Sequence, residues 1–226
     1  MWGVDYLGRD LFQRWISATE LTVWIGISGA SLGLTLGLLL SILGMFRIFR
    51  PGILFLLDVA QAIPLFLLPA SLLMLFKQVS AQTPQLNLIL ALGLSAWLVF
   101  ARYSLHFIRV QMALPLFESA ASLGGSSLHI WRKHLVPLLM RRLAPIIAAQ
   151  TSQIILFESL FSFVGFGLRG EQVTLGGLLS EVWSTAFIHP HLLLLPGVTI
   201  MAISLLFSGI ASHIAGPKLA SPVVER

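Results

Sequence analysis

Between Glu20 and Arg47 the chain carries no charged side chain: everything from Leu21 to Phe46 is apolar or small and neutral. A helix rises about 1.5 Å per residue, so about 20 apolar residues cross a hydrocarbon layer roughly 30 Å thick. A first membrane span is therefore expected over about Leu21–Met45. A bilayer offers no water to backbone amides, so it admits helices or closed barrels and little else. The run length selects helices.

Four further stretches read the same way. They cover about Ile53–Phe76, with one acid, Asp58; about Leu86–His106, meeting Arg102 near its end; about Leu143–Phe163, including Glu158; and about Leu192–Ile214. The chain is 57% hydrophobic and only 10% charged, against about 25% charged in soluble domains that must face water. The sequence thus predicts an all-α membrane protein with five transmembrane helices, forming a single transmembrane domain over residues 1–226. A net charge of +5 then reflects Lys and Arg retained on one side of a membrane rather than nucleic-acid binding.

With the N-terminus outside, ten basic residues fall inside (Arg47, Arg50, Arg102, Arg109, Arg132, Lys133, Arg141, Arg142, Lys218, Arg226) and four outside (Arg9, Arg14, Lys77, Arg169). This bias predicts an internal C-terminus. No cleavable signal peptide is visible at the start of the chain. With no cysteine, disulfides, Fe–S clusters and thiolate zinc sites are excluded. His189 and His191 flank Pro190, but no acid or cysteine accompanies them, so an interfacial turn is expected there rather than a metal. No phosphate-cradling Gly-x-x-x-x-Gly-Lys-Ser/Thr, His-Glu-x-x-His or nucleophile elbow occurs, so ATP chemistry, if used, belongs to another subunit.

Gly29, Gly33 and Gly37 repeat every fourth residue on one helical face. Close packing within the chain is the plainer expectation, a subunit interface the sharper one. Asp58 and Glu158 lie at membrane depth, where an acid defaults to a pathway, a gate or a structural pair. A proton relay would require a chain of acids and histidines.

The internal stretch from about Arg109 to Arg142 is the most informative. Glu118–Leu123 favours a short helix with its acid near the positive end, and Gly124-Gly125 breaks it. Ser126 or Ser127 can cap a second helix, and Pro137 marks the start of the next membrane helix. The stretch resembles the Glu-Ala-Ala loop of bacterial ABC-importer permeases, matched here by Glu118, Ala120, Ala121, Gly124, Gly125, His134 and Pro137. Lys133-His134-x-x-Pro137 resembles the dipeptide/oligopeptide/nickel branch, although Leu138 stands where that branch usually has Asn. Three further matches follow the same branch. Gly3-Val4-Asp5-Tyr6-Leu7-Gly8-Arg9-Asp10 resembles its Gly-Thr-Asp-x-x-Gly-Arg-Asp signature, here an external signature carried by Asp5, Gly8, Arg9 and Asp10. Asp58 with Ile63-Pro64 resembles its Asp-x-x-x-x-Ile-Pro helix, and Glu158 to Gly167 its Glu-x-x-Leu-Ser-Phe-Leu-Gly-Leu-Gly segment.

The resemblance implies a type I importer permease, C-type, in the bacterial inner membrane. It implies a coupling helix in the cytoplasmic loop, and Asp58, Pro64, Glu158, Gly165 and Gly167 in pathway or gating roles. The implied partners are a second permease subunit, two ATPase subunits that hold ATP and Mg, an extracytoplasmic solute-binding protein, and lipid. No cofactor is implied on this chain, no nucleic acid and no enzymatic activity of its own. The implied solute is a di- or oligopeptide or a nickel or other metal chelate. An exporter-type permease for peptides or polyamines, a secondary transporter or channel, and a non-transporting scaffold are the alternatives. The family has a helix before the signature at which Met1 stands, and its usual acids near the C-terminus are replaced by Ala211–Lys218.

Overall fold

The computed structural model describes residues 8–79, 83–113, 131–168, 172–183 and 190–219. Every regular element among them is a helix: α1 (Leu11–Leu43), α2 (Arg50–Ala62), α3 (Leu67–Val79), α4 (Pro84–Met112), a π-helical turn (Trp131–Leu135) running into α5 (Val136–Phe163), α6 (Leu175–Val182) and α7 (Pro190–Leu219). Four helices are long and apolar enough to cross a membrane, and α2 with α3 makes a fifth span if the bent pair counts as one.

α1 begins ten residues before the uncharged run. Asp10 caps it, Oδ1 accepting from the Phe12 and Gln13 amides at 2.9 and 3.4 Å, donors that a first turn otherwise leaves unpaired. At 33 residues the helix is roughly 50 Å long, more than the hydrocarbon requires. Its extra turns are fastened elsewhere. Arg14 forks onto Glu181 of α6 at 2.8 and 3.0 Å, and the Trp15 indole donates to Thr199 of α7 at 2.9 Å.

The glycine stripe of α1 packs inside the chain. A Cβ on Gly33 would stand 2.7 Å from Ala96 Cβ, and one on Gly37 2.5 Å from Phe100 Cβ. Gly29 meets Ile154 of α5 and the Gly93 backbone of α4. Small residues here let backbones approach without a hydrophobic drive that lipid would not supply. Around this seam lies the main core, including Ile25, Leu92, Phe100, Ile108, Leu135, Leu143 and Ile154.

The second span departs from the continuous helix expected over 53–76. α2 and α3 meet at 94°. Proline has no N–H and pushes the residue before it out of the helical region, and Ile63, before Pro64, is extended at φ −78°, ψ 128°.

The third span also runs further than expected, to Met112. Arg102 therefore sits ten residues inside the helix end, not in the internal flank where the charge count placed it. The fourth span starts earlier, with Pro137 in its first turn as expected, and Leu135 packs in the same core as Ile108. Of the internal stretch, residues 114–130 lie outside the described residues, and with them Glu118, Ala120, Ala121, Gly124 and Gly125. The short α6 was not expected; Thr174 caps it by accepting from the Gly177 amide.

Candidate functional site

Two polar centres occur within the spans, and both are built around an acid picked out from the sequence. The first joins the bent span to α4. Arg102 Nη2 donates to Asp58 Oδ1 at 2.6 Å, with the two side chains 43% and 70% exposed. Asp58 and Gln61 are one turn apart on α2, as are Arg102 and His106 on α4, so each pair shares a face. Beside them opens a cleft of about 670 Å³ whose wall includes Gln61, Pro64, Leu65, Arg102, Tyr103 and His106. Pro64 contributes twice, breaking the span and forming the wall at the break. A tighter crevice shares Leu65 and Val99 with this cleft and is lined by Ser95, Gln150 and Gln153. Gln150 Nε2 and Gln153 Oε1 are 3.2 Å apart. Polar side chains thus punctuate a largely apolar wall from the elbow across α4 to α5.

A charged side chain at the bilayer centre costs about 2.5–3.5 kcal/mol on insertion scales. Charged side chains within membrane spans almost always pair with one another and face a bundle interior or a water-filled cavity, and Asp58 and Arg102 pair in that way.

The second centre is closed. Glu158 of α5 is fully buried and accepts from two hydroxyls, Ser162 at 2.5 Å and Ser159 at 3.5 Å, with the Thr22 and Thr174 hydroxyls beside it. Those two threonines hold the start of α6. Thr22 Oγ1 accepts the Leu175 amide at 3.0 Å and Thr174 Oγ1 the Gly177 amide at 3.4 Å. The carboxyl thus sits among hydroxyls of α1, α5 and the α6 cap, two of which hold the amides that open α6.

The chain after α5 folds back over this node. Gly165 takes φ 99°, a region that side chains disfavour, and the Phe166 amide returns to Phe161 O at 2.8 Å. A Cβ on Gly167 would fall 2.0 Å from Ser162 Oγ, and one on Gly176 2.1 Å from Ser159 O. Lys77 at the end of α3 reaches the same turn, 3.4 Å from Gly165 O and 5.2 Å from the centre of the Phe166 ring.

The remaining expected residues lie at the two ends of the bundle. Gly8 is exposed with φ 75°. Arg9 and Asp10 line a cleft of about 800 Å³ with Arg14, Glu20 and Gln172. Asp5 lies outside the described residues. At the opposite end of α4 and α5, His134 and Pro137 are exposed. The structure thus brings Glu158 together with Gly165 and Gly167, and Asp58 with Pro64, but the two sets occupy separate places. Sequence reasoning missed Arg102 as the partner of Asp58, and it missed Gln61, Gln150 and Gln153. Their signal was available: amides and a guanidinium within otherwise apolar runs.

The family model described as binding-protein-dependent transport system inner membrane component matches residues 33–219. The chain belongs to this family. It is therefore a multi-pass membrane permease component of a transport system. It is similar to the glutathione transport system permease protein GsiD of Pectobacterium atrosepticum, at 28% identity over 97% of this chain and 73% of that protein. The metal-staphylopine import system permease protein CntC of Staphylococcus aureus is 28% identical over 67% of this chain and 50% of its own length. The oligopeptide transport system permease protein OppC of Haemophilus influenzae is 27% identical over 86% of this chain and 61% of its own. The chain thus spans between half and three quarters of these relatives. In fold it resembles a chain of an amino acid ABC transporter, with a TM-score of 0.68 at 18% identity, covering 89% of this chain and 92% of that one. It also resembles a chain of the inward-facing MetNI methionine ABC transporter, with a TM-score of 0.61 at 18% identity over 90% and 95%. These likenesses carry the importer-permease fold expected above.

Proposed function

We propose that this chain pairs with a second permease subunit and forms half of a solute path in an ATP-driven importer, with the Asp58–Arg102 cleft facing that path. The observation that carries the reading is the exposed Asp58–Arg102 ion pair between the bent span and α4, both of membrane-spanning length and composition, since a lipid-facing surface disfavours both charges. The relatives named for glutathione, oligopeptides and metal-staphylopine support a small peptide or a metal chelate as the solute.

In this scheme the N-terminal end, with Gly8, Arg9 and Asp10, faces an extracytoplasmic solute-binding protein, and the C-terminus is cytoplasmic. Residues 114–130, flanked by His134 and Pro137, dock one of two ATPase subunits, which hold ATP and Mg. Closure of those ATPases favours one of two bundle conformations through differential contacts with the loop. The Pro64 elbow and the Lys77–Gly165 contact are where α2 and α3 transmit that change.

The test is Gly124→Asp in the reconstituted complex. An acid at this loop position is expected to lower stimulation of ATP hydrolysis by the binding protein at least tenfold (~1.4 kcal/mol of coupling). Full stimulation and full transport would refute the loop assignment.

A further inference from the structure

The cleft beside the bent span is electrically one-sided. Its wall holds Gln61, Tyr103 and His106, but among the described residues that line it the one formally charged side chain is Arg102. Asp58 touches Arg102 from outside that wall. The contact uses a single guanidinium nitrogen, Nη2, and a single carboxylate oxygen, Oδ1. A guanidinium presents five donors in a planar fork that suits bidentate carboxylate binding, so the fork is only partly used. Both partners are substantially exposed, and exposed pairs are weakly held and readily exchanged.

The element carrying Asp58 is also lightly anchored. α2 buries only Ile53 and Leu57, against Ala101 and Leu105 of α4, and its far end is the Pro64 break. A cleft of about 670 Å³ lies within the range that encloses small organic ligands.

We infer that Arg102 is the anion-recognising residue of this path and that Asp58 is its resting counterion, displaced when an incoming solute presents a carboxylate. The specificity is for the anionic group, whatever solute bears it. Exchange keeps Arg102 paired throughout: the arriving carboxylate takes the guanidinium, and the displaced Asp58, already 70% exposed, carries its charge into the open, watered cleft. The inference rests on the permease reading above, because it needs the cleft to be open to water.

The absence of cysteine from the chain makes a direct test available. Leu65, exposed on the cleft wall, is replaced by Cys in the full chain in its native membrane. Its reaction rates with anionic 2-sulfonatoethyl methanethiosulfonate and cationic 2-trimethylammonioethyl methanethiosulfonate are each normalised to free cysteine. With Asp58 balancing Arg102 the resting cleft has little preference, whereas a bare guanidinium concentrates the anionic reagent on the order of tenfold. Asp58→Asn in the Leu65→Cys chain is expected to create that preference, a further Arg102→Gln to abolish it, and Arg102→Lys to retain part of it. Labelling of this chain is read by mass, so thiols on partner subunits do not interfere.

Equal normalised rates after Asp58→Asn, or a preference that survives Arg102→Gln, would overturn the assignment. So would protection of Leu65→Cys from both reagents with and without ATP, which would mean that a protein surface covers the face. Co-purification of ATPase subunits from the same membranes tests the permease reading separately, so the two can fail independently.

Discussion

Asp58 and Glu158, the acids set within the apolar runs, occupy opposite environments. Glu158 is fully buried, bonded to two serine hydroxyls and set beside two threonines that hold the start of α6. Asp58 is largely exposed, holds one guanidinium and borders an open cleft. The same functional group thus serves as a fastener in one place and an exchangeable partner in the other. What separates them is access. A closed polar network must satisfy every member from within, whereas an open one exchanges partners with whatever enters.

The comparison is most severely tested at the turn that closes the Glu158 node. Gly167→Val sets carbon atoms against Ser162 Oγ and Cβ, where even a Cβ would lie 2.0 and 2.4 Å away. The neighbours are the body of a buried residue rather than the tip of a flexible one. We expect loss of nearly all folded, membrane-inserted protein, measured as the monodisperse fraction after detergent extraction. Normal yield would mean that the fold-back is dispensable.

A smaller effect is expected from the carboxyl itself. Glu158→Ala strips the partner from Ser162 and Ser159, and leaving buried polar groups unsatisfied costs about 1–3 kcal/mol. Glu158→Gln keeps a group that accepts and donates at the same place and should cost about 1 kcal/mol. Thermal unfolding in detergent distinguishes the two. Equal losses would show that charge, not hydrogen bonding, holds the node.

The smallest stability change belongs to the other acid. Asp58→Asn should shift stability by less than about 1 kcal/mol, the worth of an exposed pair, while altering transport in reconstituted vesicles. A loss matching that of Glu158→Ala would erase the contrast and make Asp58 a structural residue.

Much of the fold was legible because its cause is local. Uncharged runs marked the spans, Pro137 marked a helix start, and the four-residue glycine spacing marked a packing face that α4 and α5 fill. The site was legible only in part. Asp58 and Glu158 drew attention as acids in apolar runs, yet nothing near either in sequence separates their roles. Arg102, 44 residues from Asp58, was counted as an internal flanking charge because span ends are blurred when a helix outlasts the bilayer. Pro64 was noted as part of a motif, but the 94° bend it begins came from the structure.

The sequence by itself determined that this chain lives in a bilayer as a bundle of helices, since hydrophobic run length and backbone hydrogen bonding are properties of contiguous residues. Only the tertiary structure decided which acid is sealed and which is open. That depends on which hydroxyls, amides and guanidinium groups arrive from helices distant in sequence, and burial is a property of the assembled neighbours rather than of the residue.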